Sequence, residues 1–169
     1  MCSIESFNSD QHPAIKEPVG AEAVIFVGIQ ATGKSSFYYQ RFFRTHVRLN
    51  LDMLRTRRRE EMLLSTCLAG SISFVVDNTN PTVADRAKYI RPARRAGFRV
   101  TGYYFESKIG AAMERNALRS PEERIPELGI RGIAARLVLP RKGEGFDDLY
   151  YVRIGQAGSF QVEDWRDEV

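Results

Sequence analysis

Short apolar runs alternate with longer stretches in which apolar side chains return every third or fourth position. The runs Val24–Val27, Val47–Asn50, Ser73–Asp77, Arg99–Phe105 and Tyr150–Ile154 read as strands. Between them, residues 34–43, 52–69 and 80–96, the segment carrying Met113 and Leu118, and residues 127–136 read as amphipathic helices. Gly70 suits the stop of the second helix and Gly97 that of the third. Asn80 followed by Pro81 suits the start of the third, and Ser107 the cap of the fourth. Strands alternating with helices predict a three-layer α/β fold, a central parallel sheet of about five strands with helices on both faces. In such sheets ligands bind beyond the carboxyl ends of the strands, so those ends become candidate sites.

The same pattern divides the chain. Residues 1–20, with Pro13, Pro18 and Gly20 among polar neighbours, read as a loosely ordered leader. Residues 21–156 form one domain, and 157–169 read as a polar, poorly ordered tail with Trp165 as its candidate anchor. A length of 169 residues suffices for a single domain with a real core. No apolar stretch is long enough to cross a bilayer, and the leader lacks a secretory pattern. The cysteines, Cys2 and Cys67, suggest neither a disulfide framework nor a zinc site, so a cytoplasmic location is expected.

The strongest motif follows the first strand. Gly28-Ile29-Gln30-Ala31-Thr32-Gly33-Lys34-Ser35 has the spacing of a phosphate-binding Walker A loop, with Ser36 continuing into a helix. Gly28 and Gly33 let the backbone curl so that successive N–H groups converge on phosphate oxygens. Lys34 brings a positive charge to the phosphates, Ser35 offers a hydroxyl to Mg²⁺, and the helix N-terminus favours the anion.

Three other strand ends carry chemistry. Asn50-Leu51-Asp52-x-x-Arg55 follows the second strand; Asp52 is either a general base or a helix cap, and Arg55 either an acceptor contact or a solvated side chain. Asp77-Asn78-Thr79-Asn80 follows the third, with Asp77 placed like a Walker B acid or simply a turn residue. Arg115 and Arg119 share one helix face, and Arg124 lies in the loop beyond. Net charge is +4, concentrated in Arg55, Arg57, Arg58 and Arg59 and again in Arg86, Lys88, Arg91, Arg94 and Arg95. Such clusters suit a polyanionic partner, or else are solvated helix faces.

Taken together these motifs resemble the 5′-hydroxyl polynucleotide kinases, P-loop phosphotransferases that include the kinase domain of polynucleotide kinase-phosphatases. The likeness is densest over Val76-Asp77-Asn78-Thr79-Asn80-Pro81, Arg86-Ala87-Lys88-Tyr89-Ile90 and Ala93-x-x-Ala96-Gly97. The resemblance implies a P-loop kinase fold and transfer of the γ-phosphate of ATP, with Mg²⁺, to the 5′-OH end of DNA or RNA. It implies that Gly28 to Ser36 hold the ATP phosphates, with Ser35 on the metal and Arg115 nearby. Asp52 would be the base, Lys34 and Arg119 the charge-neutralising groups, with Arg124 a competitor for Arg119. Arg55, Asp77 and Thr79 would meet the acceptor, Arg55 through a 3′-phosphate. Two other readings share the motifs: a kinase of a small-molecule hydroxyl, including the zeta-type toxin kinases, and a nucleotide-dependent binding module without catalysis.

Overall fold

The structure, a computed structural model, describes residues 20–166. All but Gly20 of the expected leader, including Cys2, and the last three residues of the tail lie outside the described residues. At the centre is β1 (Glu22–Val27), in which Ala23 to Val27 are fully buried. A strand covered on both faces must be a continuous apolar run, as this one is. On one side it pairs in parallel with β3 (Phe74–Val76), and β3 pairs with β2 (Val47–Leu49). On the other it pairs in parallel with β4 (Arg99–Phe105), which pairs in parallel with β5 (Asp148–Ile154).

Those five strands match the expected parallel sheet, but a sixth completes it. β6 (Phe160–Asp164) runs antiparallel to β5, giving the order β2-β3-β1-β4-β5-β6. The expectation of a poorly ordered tail is corrected here. Phe160 and Val162 turn inward while Gln161 and Glu163 face water, the alternation of a strand buried on one face only. Trp165, just beyond, is buried edge-on against Tyr104 at 5.4 Å between ring centres.

Because side chains alternate along a strand, the sheet builds two cores. Ala23, Ile25, Val27, Val76 and Val100 pack under helices α3 (Arg57–Ala69) and α4 (Val83–Arg95), against Leu64, Cys67, Tyr89, Ile90 and Ala93. Val24, Phe26, Val75, Tyr103 and Phe105 pack on the opposite face against Phe37, Tyr38 and Phe42, from α1 (Lys34–Arg41) and its C-terminal end. That second core is largely aromatic, with Phe37 5.4 Å from Phe105 and 5.1 Å from Phe160 between ring centres. A third, smaller cluster joins the loop after β1 to α5 (Ile109–Ala117) and α6 (Glu127–Arg136) through Ile29, Ala31, Ala112 and Ile130.

Local chemistry moved several boundaries. The expected helix over 52–69 is two helices. Asn50 caps a short α2 (Leu51–Leu54) by accepting from the Met53 N–H, Arg55 ends it in the left-handed region at φ 69°, and Thr56 caps α3. The third helix starts at Val83, not beside Asn80, because Thr82 accepts from the Asp85 N–H. Asn80 is instead buried at φ 44° and donates from Nδ2 to the Phe26 carbonyl at 2.8 Å, tying the loop after β3 to β1. Ser107 caps no helix; its hydroxyl accepts from the Ile29 N–H and donates to the Phe105 carbonyl. Among the described residues no helix is long and apolar enough to cross a membrane.

Candidate active site

The loop from Gly28 to Gly33 joins β1 to α1 at the carboxyl end of the sheet. Gly28 has φ 150°, and a Cβ there would stand 3.0 Å from the Phe105 carbonyl oxygen. Gly33 adopts φ 87°, a conformation that favours glycine, immediately before the first turn of α1. The loop is braced by three outside contacts and one of its own. Gly28 N–H donates to the Thr79 carbonyl at 3.0 Å, Ile29 N–H to Ser107, and Thr32 Oγ1 to the Ile29 carbonyl. From α5, Arg115 Nε donates to the Ala31 carbonyl at 2.6 Å.

Lys34 opens α1 and is buried, with Nζ donating to the carbonyls of Gly28 and Ile29. Burial pushes its ammonium down to about 8; the Asp77 and Asp52 carboxylates work against that shift, and Arg119 works with it. An ammonium held so poorly solvated is strongly attracted by any phosphate that reaches it. Gln30 Oε1 is buried in the same region without a donor among the described residues, an unmet acceptor that a ligand or water would satisfy.

Asp77 follows β3 and is 3 % exposed. Its Oδ2 accepts from Ser35 Oγ at 2.9 Å, the contact between P-loop hydroxyl and acid that the Walker reading requires. The same oxygen also accepts from Arg48 Nε at 2.9 Å, and Arg48 Nη2 donates to Ser35 Oγ at 2.9 Å. Arg48 lies beneath the rings of Tyr38 and Tyr39, 5.4 and 5.3 Å from their centres. Sequence reasoning did not single out Arg48. Its signal was a cation inside an apolar strand, a placement that requires a partner. Ser35 and Asp77 are hard oxygen donors and suit Mg²⁺, which takes few protein ligands and keeps water and phosphate oxygens for the rest.

The cleft wall that carries Asp52 is held by two asparagines. Asn50 Nδ2 donates to the Asp77 carbonyl at 2.6 Å, and Asn78 Oδ1 accepts the Leu51 N–H at 2.9 Å. Together with the Asn50 cap they fix α2, whose second residue is Asp52. A cleft of about 390 Å³ then brings the parts together. Gln30 to Ser36, Asp52, Asp77, Thr79 and Arg119 all line it. Five basic side chains line it against three acidic ones, so it favours anions.

Four sequence-predicted residues lie elsewhere. Gly28 and Ile29, the first two residues of the loop, are buried and do not line the cleft. Arg115 does not line the cleft, and its Nε donates to the Ala31 carbonyl, supporting the loop. Arg55, at the left-handed end of α2, is exposed and does not line the cleft. Arg57 does, as do Lys88, Tyr89 and Arg136. Arg124 does not line the cleft, and its Nη2 donates to the Ala117 and Arg119 carbonyls just past α5.

No protein-family model matches the sequence. Over 147 residues it is 27 % identical to a bifunctional polynucleotide phosphatase/kinase of Schizosaccharomyces pombe, covering 84 % of this chain and 36 % of that protein. The chain has the P-loop kinase fold, and in sequence it resembles that polynucleotide phosphatase/kinase. It thus spans about a third of the length of the curated relative it matches. The fold of this P-loop kinase domain recurs in a solved Pnkp1/Rnl/Hen1 RNA repair complex, with TM-score 0.59 and 20 % identity over 73 % of this chain and 46 % of that one. It recurs also in a gluconokinase from Sinorhizobium meliloti, with TM-score 0.58 and 15 % identity over 80 % and 83 % of the two chains.

Proposed function

We propose that this kinase domain transfers the γ-phosphate of ATP to the 5′-OH end of a polynucleotide. The observation that carries the reading is the sharing of one cationic cleft by Asp52, Lys34 and Arg119. The curved loop and Lys34 hold the triphosphate. Asp52, fixed on α2, accepts the proton of the attacking 5′-hydroxyl as the γ-phosphoryl group passes in line. Lys34 and Arg119 offset the charge on the oxygens of that group. Ser35 and Asp77 would hold Mg²⁺, which supplies further neutralisation at the phosphates when bound. Thr79 lines the acceptor side, and its carbonyl braces Gly28.

One observation favours a second reading, a kinase of a small-molecule hydroxyl. Arg55, to which the resemblance gives an acceptor 3′-phosphate, stands outside the cleft. The decisive experiment incubates the protein with labelled ATP, Mg²⁺ and either a 5′-OH or a 5′-phosphorylated oligonucleotide. Label on the first alone, with acceptor affinity falling as salt rises, supports the polynucleotide reading. Label on neither, with transfer to a small hydroxyl compound that is indifferent to salt, supports the second.

A further inference from the structure

The register of β2 on β3 sets Arg48 beside Asp77, since Leu49 pairs with Val76 and its carbonyl accepts the Asp77 N–H at 2.8 Å. Arg48 Nε and Nη2 reach Asp77 Oδ2 at 2.9 and 2.5 Å, and Nη2 also reaches Ser35 Oγ at 2.9 Å. Nη1 donates to the Tyr39 hydroxyl at 3.3 Å, and the guanidinium lies against the Tyr38 and Tyr39 rings. Asp77 and Ser35 line the cleft but Arg48 does not, so the guanidinium meets them from behind. A ligand entering the cleft therefore has no need to displace it.

A serine hydroxyl has one hydrogen and two lone pairs. In Ser35 the hydrogen goes to Asp77 Oδ2 and one lone pair takes Arg48 Nη2, which leaves one lone pair for a metal. Arg48 thus sets the rotation of the hydroxyl. It also changes the charge of the site. At pH 7 Lys34, Arg119 and Arg48 face Asp77 and Asp52, three positive groups around two negative ones. A dication arriving alone meets a net positive field there. Among the described residues no three acidic, histidine or cysteine side chains gather as a metal group that would offset it. The phosphates of a nucleotide do offset it, because they bring several negative charges, and oxygen ligands for the ion, to Lys34 and Ser35.

We propose that Arg48 is a positioning residue that couples metal to nucleotide. By holding the Ser35 hydroxyl and cancelling the Asp77 charge, it makes the site accept a divalent cation only together with a nucleotide's phosphates. The proposal rests on the nucleotide-binding part of the kinase reading and is indifferent to the acceptor. Mn²⁺, a hard dication with a paramagnetic signal, is the probe. Electron paramagnetic resonance reads its protein-bound fraction with and without a non-hydrolysable ATP analogue. The wild-type protein binds Mn²⁺ only with the analogue, and beyond what the analogue binds by itself. Arg48→Met binds Mn²⁺ without the analogue about tenfold or more tightly than wild type, since a unit positive charge close to the dication is gone. Arg48→Gln, which keeps a donor for Asp77 and so more of the stability, shows the same gain. Arg48→Lys keeps the charge and behaves towards Mn²⁺ alone as the wild type does. Adding Asp77→Asn to Arg48→Met removes the gained affinity, which assigns the ion to Asp77. Tight Mn²⁺ binding by the wild type without the analogue, or no gain in Arg48→Met and Arg48→Gln, overturns the proposal and leaves Arg48 a structural ion pair. Failure to bind the analogue at all would overturn the kinase reading instead, while the titrations without it still decide on Arg48. Thermal unfolding of each variant checks that it is folded at the temperature of the assay.

Discussion

Arg48 lies along the carboxylate of Asp77, donating from Nε at 2.9 Å to the same oxygen that Ser35 Oγ reaches at 2.9 Å. A strand residue thus acts as a resident cation on the two groups best suited to a metal. The Asp77 side chain is almost wholly buried and that of Arg48 largely so. Removing one partner of such a pair leaves an uncompensated buried charge. Arg48→Met should therefore lower stability by about 3 kcal/mol in urea unfolding at pH 7. A loss under about 1 kcal/mol would mean that water already meets the Asp77 charge.

Lys34 makes the nucleotide site sensitive to alkaline pH. Its folded value of about 8 lies below the ordinary 10.5, chiefly through burial. Between those values the unfolded chain keeps the proton that the folded one has released, so this group makes stability rise with pH across the window. Below about pH 8 the buried charge is a constant cost. Phosphates arriving at Nζ favour the charged form and so restore the proton. Nucleotide binding at about pH 8.5 should then take up protons, seen as a heat that varies with the ionisation enthalpy of the buffer. Lys34→Met should abolish that dependence. A buffer-independent heat in the wild-type protein would show that Lys34 stays charged throughout.

The assignment of Asp52 separates chemistry from binding. Asp52 lies in the cleft but, among the described residues, accepts no hydrogen bond from the P-loop, and α2 is held by Asn50 and Asn78 rather than by its side chain. Asp52→Asn should leave nucleotide affinity within about twofold and lower kcat by about 10²- to 10⁴-fold, the range for a general base. Single-turnover transfer beside an equilibrium nucleotide titration measures both. A kcat near the wild-type value would remove Asp52 from the mechanism.

What could be read in the sequence was local. The run Val24 to Val27, the glycine spacing and the acids at two strand ends are contiguous patterns, and the structure puts Lys34, Asp52 and Asp77 around one cleft accordingly. What escaped was set by contacts between distant segments. Arg48 is recognisable only once β2 is placed beside β3, and Glu60 looks like any surface acid until Asn78 and Tyr89 converge on it. The break between α2 and α3 escaped too: residues 52–69 read as one helix, whereas the Thr56 cap divides it, leaving Arg55 exposed and Arg57 on the cleft wall. β6 was missed because its outward residues are polar and only Phe160 and Val162 mark its inner face.

That strand also reaches the phosphate loop. A Cβ at Gly33 would stand 2.9 Å from Phe160 Cε1, so the Phe160 ring lies directly against the loop's second glycine. On its other side the ring meets Phe37, one turn into α1, edge-on at 5.1 Å. Phe160 is 7 % exposed, and trimming a buried ring of this size typically costs about 3–5 kcal/mol. Phe160→Ala should incur a loss in that range and also weaken nucleotide binding, because Gly33 and the start of α1 lose the surface that holds their backbone N–H groups in place. Phe160→Leu, which keeps most of the volume, should retain most of both. Urea unfolding and titration with a fluorescent ATP analogue measure the two effects on the same samples. Stability lost with nucleotide affinity unchanged would reduce β6 to a brace for the sheet edge, whereas parallel losses make it the support on which the P-loop rests.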